Sequence, residues 1–163
     1  MSSQSTPWWK GARGEWYFIA QLVLFALILL APLAPGQPAW PSPLSLAARG
    51  LGLLLGLAGF ALAAAGLVGL GRNLSPLPHP KDDAVLVEGG IYGRARHPIY
   101  GGLIMGALGW ALLTNSLLAL ALAVMLLLFF EVKSRREERQ LLARFPGYAA
   151  YRRRVRKFFP FIY

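Results

Sequence analysis

Two short stretches hold nearly every side chain capable of acid–base, ionic or group-transfer chemistry. The first reads Leu86-Val87-Glu88-Gly89-Gly90-Ile91-Tyr92 and then Arg96-His97-Pro98-Ile99-Tyr100. Proline is favoured at the first position of a helix, where its missing N–H would have no partner anyway. Arg96 and His97 therefore stand at a helix N-terminus, whose free N–H groups and dipole add to their own charge and suit a carboxylate or phosphate. Tyr100, three residues beyond His97, projects from nearly the same face. The second stretch holds Glu131, Lys133, Arg135, Arg136, Glu137 and Glu138. On a helix Lys133 and Glu137 share a face, as do Arg135 and Arg139. Each stretch alone also has a plainer reading: an interfacial cap of Arg, His and Tyr, and a solvated helix of i,i+4 pairs. Together they offer a carboxylate partner (Arg96, His97 and the helix end) and an ammonium partner (Glu137 or Glu138). Those are the two halves of an amino acid zwitterion. S-adenosylmethionine carries such a moiety, and its sulfonium suits aromatic faces such as Tyr92 or Tyr100. The chain has no Cys, so thiol nucleophiles and cysteine-ligated metals are excluded, and no metal site is expected.

The elements that must position these residues follow from where the charge is missing. Hydrophobic residues make up 56% of the 163, yet the net charge is +10. No charged residue lies between Glu15 and Arg49, none from Gly50 to Gly71, and none from Pro98 to Phe130. The last run would be roughly 50 Å as one helix, too long for a single crossing of a ~30 Å hydrocarbon layer. Thr114-Asn115-Ser116 divides it with turn-forming residues. The expectation is an all-α integral membrane protein of about four spans, 16–34, 44–70, 98–113 and 116–132, the last two a short hairpin. A loop at 71–97 and cytoplasmic helices at 133–160 complete one membrane domain over 1–163. Trp8, Trp9, Trp16 and Tyr17 stand where interfacial aromatics belong. Gly52, Gly56, Gly59, Gly66 and Gly69 are spaced for close helix approach.

Lys10, Arg13, the loop 72–96 and the tail from Lys133 hold every Lys and Arg except Arg49, which places both termini and the middle loop in the cytoplasm. The tail has ten basic residues against Glu137 and Glu138 and suits anionic membrane lipids. Nucleic acid is not expected as a partner, since no groove-reading motif is present.

Gly90-Ile91-Tyr92, Arg96-His97-Pro98-Ile99-Tyr100-Gly101-Gly102, Glu137-Glu138 and Tyr148-Ala149-Ala150-Tyr151-Arg152-Arg153-Arg154-Val155, closing on Pro160, resemble the isoprenylcysteine carboxyl methyltransferase family and the wider group that includes phospholipid methyltransferases. The likeness covers about 68–162. It implies an inner-membrane enzyme that takes S-adenosylmethionine from the cytosol and methylates a lipophilic or lipidated acceptor. By that resemblance Leu86 and Val87 touch the cofactor through their backbone. Tyr92, His97, Pro98, Ile99 and Tyr100 line its pocket, and Glu137 holds its amino group. Lys133 and Arg154 fall at basic positions near the acceptor, Arg96 or Arg154 orients an anionic acceptor, and Glu138 serves as base for an amine or hydroxyl. Lys133 stands where the carboxyl methyltransferases carry Arg, and a lysine lacks the bidentate fork that reads a carboxylate. Membrane sterol reductases, which use a nicotinamide dinucleotide, share the Arg-His-Pro-x-Tyr pattern. A non-enzymatic membrane subunit is the third class.

Overall fold

The structure, a computed structural model, describes residues 15–71 and 85–162. The expectations placed on Trp8, Trp9, Lys10, Arg13 and most of the loop after Gly71 lie outside those residues. The described elements are five helices: α1 (Glu15–Leu30), α2 (Ser42–Leu70), α3 (Pro98–Leu113), α4 (Leu117–Arg144) and α5 (Tyr148–Arg154). A 3-10 turn, Ala31–Leu33, lengthens α1, and another, Gly90–Gly93, precedes α3. With that extension α1 joins α2 and α4 as the helices long and apolar enough to cross a membrane, while α3 is apolar but shorter.

Local chemistry sets each boundary. Pro43 and Pro98 occupy the first turns of α2 and α3. The α3–α4 turn is made by Asn115, which adopts φ 52°, a conformation that Asn tolerates better than most residues. Ser116 then caps α4 by accepting a hydrogen bond from the Ala119 N–H at 3.1 Å. From Leu117 to Arg144 there is neither Gly nor Pro, so α4 continues unbroken for 28 residues. The expected stop near residue 132 is absent: the carboxylates ride on the same rod as the apolar span, because nothing in the sequence breaks the helix there.

The helices pack α2 on α3, α3 on α4 and α4 on α1. The α2–α3 seam is the tightest. A methyl on Gly59 would lie 2.6 Å from the Gly102 carbonyl oxygen, and one on Gly52 would lie 2.6 Å from that of Gly109. Gly66 meets Ile99 and Pro98 in the same way. The pairs run in opposite directions, so the two helices are antiparallel with their backbones almost touching, which requires glycine on both sides. This seam, more than the α3–α4 hairpin, anchors α3. The core beside it joins Leu24 and Ile28 of α1, Ile104 of α3, Leu126 and Phe130 of α4, and Phe158 of the tail. Outward-facing Leu53, Leu54, Leu57, Phe60 and Val68 leave α2 apolar on its open side, as a lipid-facing surface requires.

Candidate functional site

The start of α3, the upper part of α4 and the C-terminal segment meet in one knot. The segment 155–158 runs beside the residues leading into α3. Arg96 N–H donates to the Arg156 carbonyl and His97 N–H to that of Lys157, both at 2.8 Å. Gly101 lets this segment lie flush on α3, since a methyl there would clash with the Phe158 carbonyl. The C-terminal tail is therefore a clasp over the helix end as well as a charged surface.

Glu138, nearly inaccessible, is the electrostatic centre of the knot. Its Oε1 accepts from Arg96 Nε at 2.9 Å and lies 3.2 Å from His97 Nε2, and its Oε2 lies 3.1 Å from Arg152 Nε. Arg96 further donates to the carbonyls of Arg152 and Val155. Arg96 and Glu138 were expected to act on the acceptor. In the structure each is spent on the other and on the tail, because a buried guanidinium and a buried carboxylate are costly unless paired.

Glu137, one residue earlier, has a different environment. Tyr100 Oη donates to its Oε1 at 2.5 Å, and His97 Nδ1 lies 3.5 Å from its Oε2. The imidazole thus stands between the two carboxylates, one ring nitrogen toward each. No guanidinium is recorded on Glu137 within ion-pair distance among the described residues, so of the two it is the one with capacity for an ammonium.

The tyrosines divide their roles. The Tyr100 ring lies parallel to those of His97 and Phe130, with centroids 5.5 and 4.3 Å away, and Lys133 Nζ is 5.1 Å from its centre. Its π system is engaged by these groups, and its hydroxyl positions Glu137. Tyr92 is buried and donates to the Gly66 carbonyl at 3.2 Å. Burial first, and the Glu137 charge second, push its phenol up to about 12, so it remains a donor at any physiological pH. Tyr151 Oη donates to the Tyr92 carbonyl at 2.7 Å, and burial raises its phenol as well.

The remaining expected residues are placed as follows. Leu86 packs against Tyr148, Tyr151 and Val155, and half-buried Val87 follows it. Pro98 is fully buried, and with Ile99 it packs on Gly66 of α2. Arg154 pairs with Glu88 at the exposed edge, which ties α5 to the 86–92 segment. Lys133 is buried and donates to Gln21 Oε1 at 2.7 Å; Glu137 is near enough to act on it only electrostatically. Arg135 reaches back to Glu131 at 2.8 Å, and Arg139 donates to the Arg135 carbonyl at 3.4 Å. The structure thus gathers Leu86, Tyr92, His97, Pro98, Ile99, Tyr100, Glu137, Glu138 and Arg96 around one helix end. It sets Lys133 deeper, toward α1, and Arg154 on the rim.

Sequence reasoning passed over Gln21, Tyr151 and Arg152. Gln21 had a usable signal, being the one amide within an otherwise apolar span, and intramembrane polar groups face protein partners. Tyr151 and Arg152 stand in the motif that carries the resemblance, but their partners lie far along the chain and nothing local assigns them a role.

A profile of phospholipid methyltransferases matches residues 47–147. The chain is 33% identical over 148 residues to the cobalt-zinc-cadmium resistance protein CzcN of Cupriavidus metallidurans, covering 90% of this chain and 62% of that one. It is 30% identical over the same length to the nickel-cobalt-cadmium resistance protein NccN of Alcaligenes xylosoxydans xylosoxydans, covering 63% of that protein. The chain thus spans somewhat under two thirds of these relatives. Its fold matches the eukaryotic intramembrane Ras methyltransferase, isoprenylcysteine carboxyl methyltransferase, with a TM-score of 0.63 and 27% identity, over 91% of this chain and 53% of that one.

Proposed function

We propose that this chain, which belongs to the phospholipid methyltransferase family, transfers a methyl group from S-adenosylmethionine to a lipid-embedded acceptor at the cytoplasmic face of the membrane. The observation that carries this reading is the unequal treatment of two neighbouring carboxylates. Glu138 is neutralised by Arg96 and Arg152, while Glu137 is held by the Tyr100 hydroxyl with no guanidinium on it among the described residues, and the His97 ring lies between the two. Desolvated beside them, Glu137 is matched to a cationic amine.

The donor set fits the cofactor. Glu137 would hold the amino group, the first turn of α3 would face its carboxylate with the free N–H groups of Ile99 and Tyr100, with Pro98 shaping that turn, and the backbone of Leu86 and Val87 would border the remainder. S-adenosylmethionine, when bound, would supply a methyl group on a positively charged sulfur, the C–S bond breaking to a neutral thioether as the acceptor's lone pair bonds to the carbon.

The chain's own work is binding, orientation and exclusion of water. Tyr100 and His97 fix the Glu137 carboxylate from two sides. Tyr151 holds the Tyr92 backbone and, with Arg154, keeps the 86–92 segment on α5. Glu138 is the positioning residue that locks Arg96 and His97, and no base is required of it if the acceptor arrives as an anion. Lys133, buried beside Gln21 and Tyr100, supplies positive charge below the site and would draw an anionic acceptor.

Calorimetric titration of the detergent-solubilised protein with S-adenosylhomocysteine and with NADPH tests this reading. Binding of the first and not the second is expected, and Glu137→Gln should weaken it by at least roughly tenfold through loss of a charge-assisted bond. Binding of NADPH alone would move the chain to the reductase class, and binding of neither would leave a non-enzymatic subunit.

A further inference from the structure

The knot has a second side. Bordered by Arg96 and Glu138, and lined by neither His97 nor Glu137, is an open cleft of about 690 Å³. A single water takes up roughly 30 Å³, so this space admits a large polar group. Seven basic side chains and two carboxylates line it, among them Arg152, Arg153, Arg154 and Arg156. Both carboxylates are already committed, Glu138 to Arg96 and Arg152, and Glu131 to Lys157 and Arg135. Among the described residues, no carboxylate pairs with Arg153 or Arg156, which are exposed. Like charges concentrated in one concavity raise the local potential and draw in a counter-anion, and planar guanidinium groups are matched to phosphate. Ile162 also lines the cleft, and it and Phe161 are almost fully exposed, which gives the cleft an apolar lip.

We propose that this cleft binds the phosphate of an anionic lipid headgroup, as a resident lipid distinct from the methyl acceptor. The guanidinium wall reads the phosphate, and the apolar lip accepts the start of the acyl region. Tyr92, His97, Tyr100 and Glu137 do not line the cleft, so its occupant does not contact the residues assigned to the cofactor. The inference stands whether or not the chain transfers methyl groups.

The test is native mass spectrometry of the full chain released from detergent, titrated with phosphatidylglycerol, with phosphatidylcholine of the same acyl chains, and with inorganic pyrophosphate. Two double variants are compared: Arg153→Gln with Arg156→Gln inside the cleft, and Arg139→Gln with Arg144→Gln outside it. Both remove the same charge, and thermal unfolding checks that both remain folded. Phosphatidylglycerol should bind more tightly than phosphatidylcholine. Loss of the cleft arginines should weaken it about tenfold, while the outer pair, which affects only the diffuse field, should matter by roughly twofold or less. Displacement of the lipid by pyrophosphate would support phosphate as the group read. An equal loss in both double variants, no preference for the anionic lipid, or pyrophosphate binding without lipid binding would each overturn the proposal.

Discussion

Neighbouring residues of identical type do different work at this site. On a helix Glu137 and Glu138 point about 100° apart, and that rotation sends one toward Tyr100 and the other toward Arg96 and Arg152. Substitution should separate them. Glu138→Gln would strand the nearly buried Arg96 guanidinium and should lower stability by about 3 kcal/mol, read from thermal unfolding. Glu137→Gln should unfold close to the parent while losing affinity for S-adenosylhomocysteine. Equal unfolding shifts in the two variants would refute this division. Tyr151→Phe removes one bond to the Tyr92 carbonyl and should cost about 1 kcal/mol. The sequence identified the Glu pair and its Arg-His counterpart, because both stand beside apolar runs. It left open which glutamate faces which partner, since that depends on the phase of α4 against α3, and phase is set by packing rather than by spacing.

The α2–α3 seam governs behaviour at the scale of the elements. Gly59 and Gly56 are both in α2, yet a methyl on Gly59 meets backbone at 2.6 Å while one on Gly56 meets nothing within 4 Å. Gly59→Ala must push two helix backbones apart and should destabilise by roughly 2 kcal/mol. Gly56→Ala should be neutral or stabilising by a few tenths to about 1 kcal/mol, through helix propensity alone. Thermal unfolding in one detergent decides, and equal effects would show that the seam is not this close. The spacing of the glycines gave the existence of such a contact and not its partner. The turn at Thr114–Ser116 was legible because Asn115 and Ser116 do local work there. The clasp of 155–158 over the start of α3 was not. Its hydrogen bonds join residues about sixty positions apart, and nothing in Val155-Arg156-Lys157-Phe158 marks a bridging strand.

At the scale of the whole molecule, the division of grease and charge is geometrical. Exposed apolar faces belong to the helices, and the ion-paired basic groups among the described residues gather around the start of α3, the upper part of α4 and α5, so the candidate site lies toward one end of the apolar helices. The unbroken α4 gives that arrangement a measure. From its cap at Ser116 to Glu137 the helix rises roughly 31 Å, close to the ~30 Å hydrocarbon thickness of a bilayer. A helix of that rise can work as a ruler, with its cap at one interface and the carboxylate at the other. The methyl transfer proposed above should therefore, in reconstituted vesicles, peak at one acyl-chain length and fall for both shorter and longer lipids, whereas a flat profile would show that the height is set elsewhere. Membrane thickness, a property of the lipid and not of the protein, would then decide which acceptor atoms come within reach.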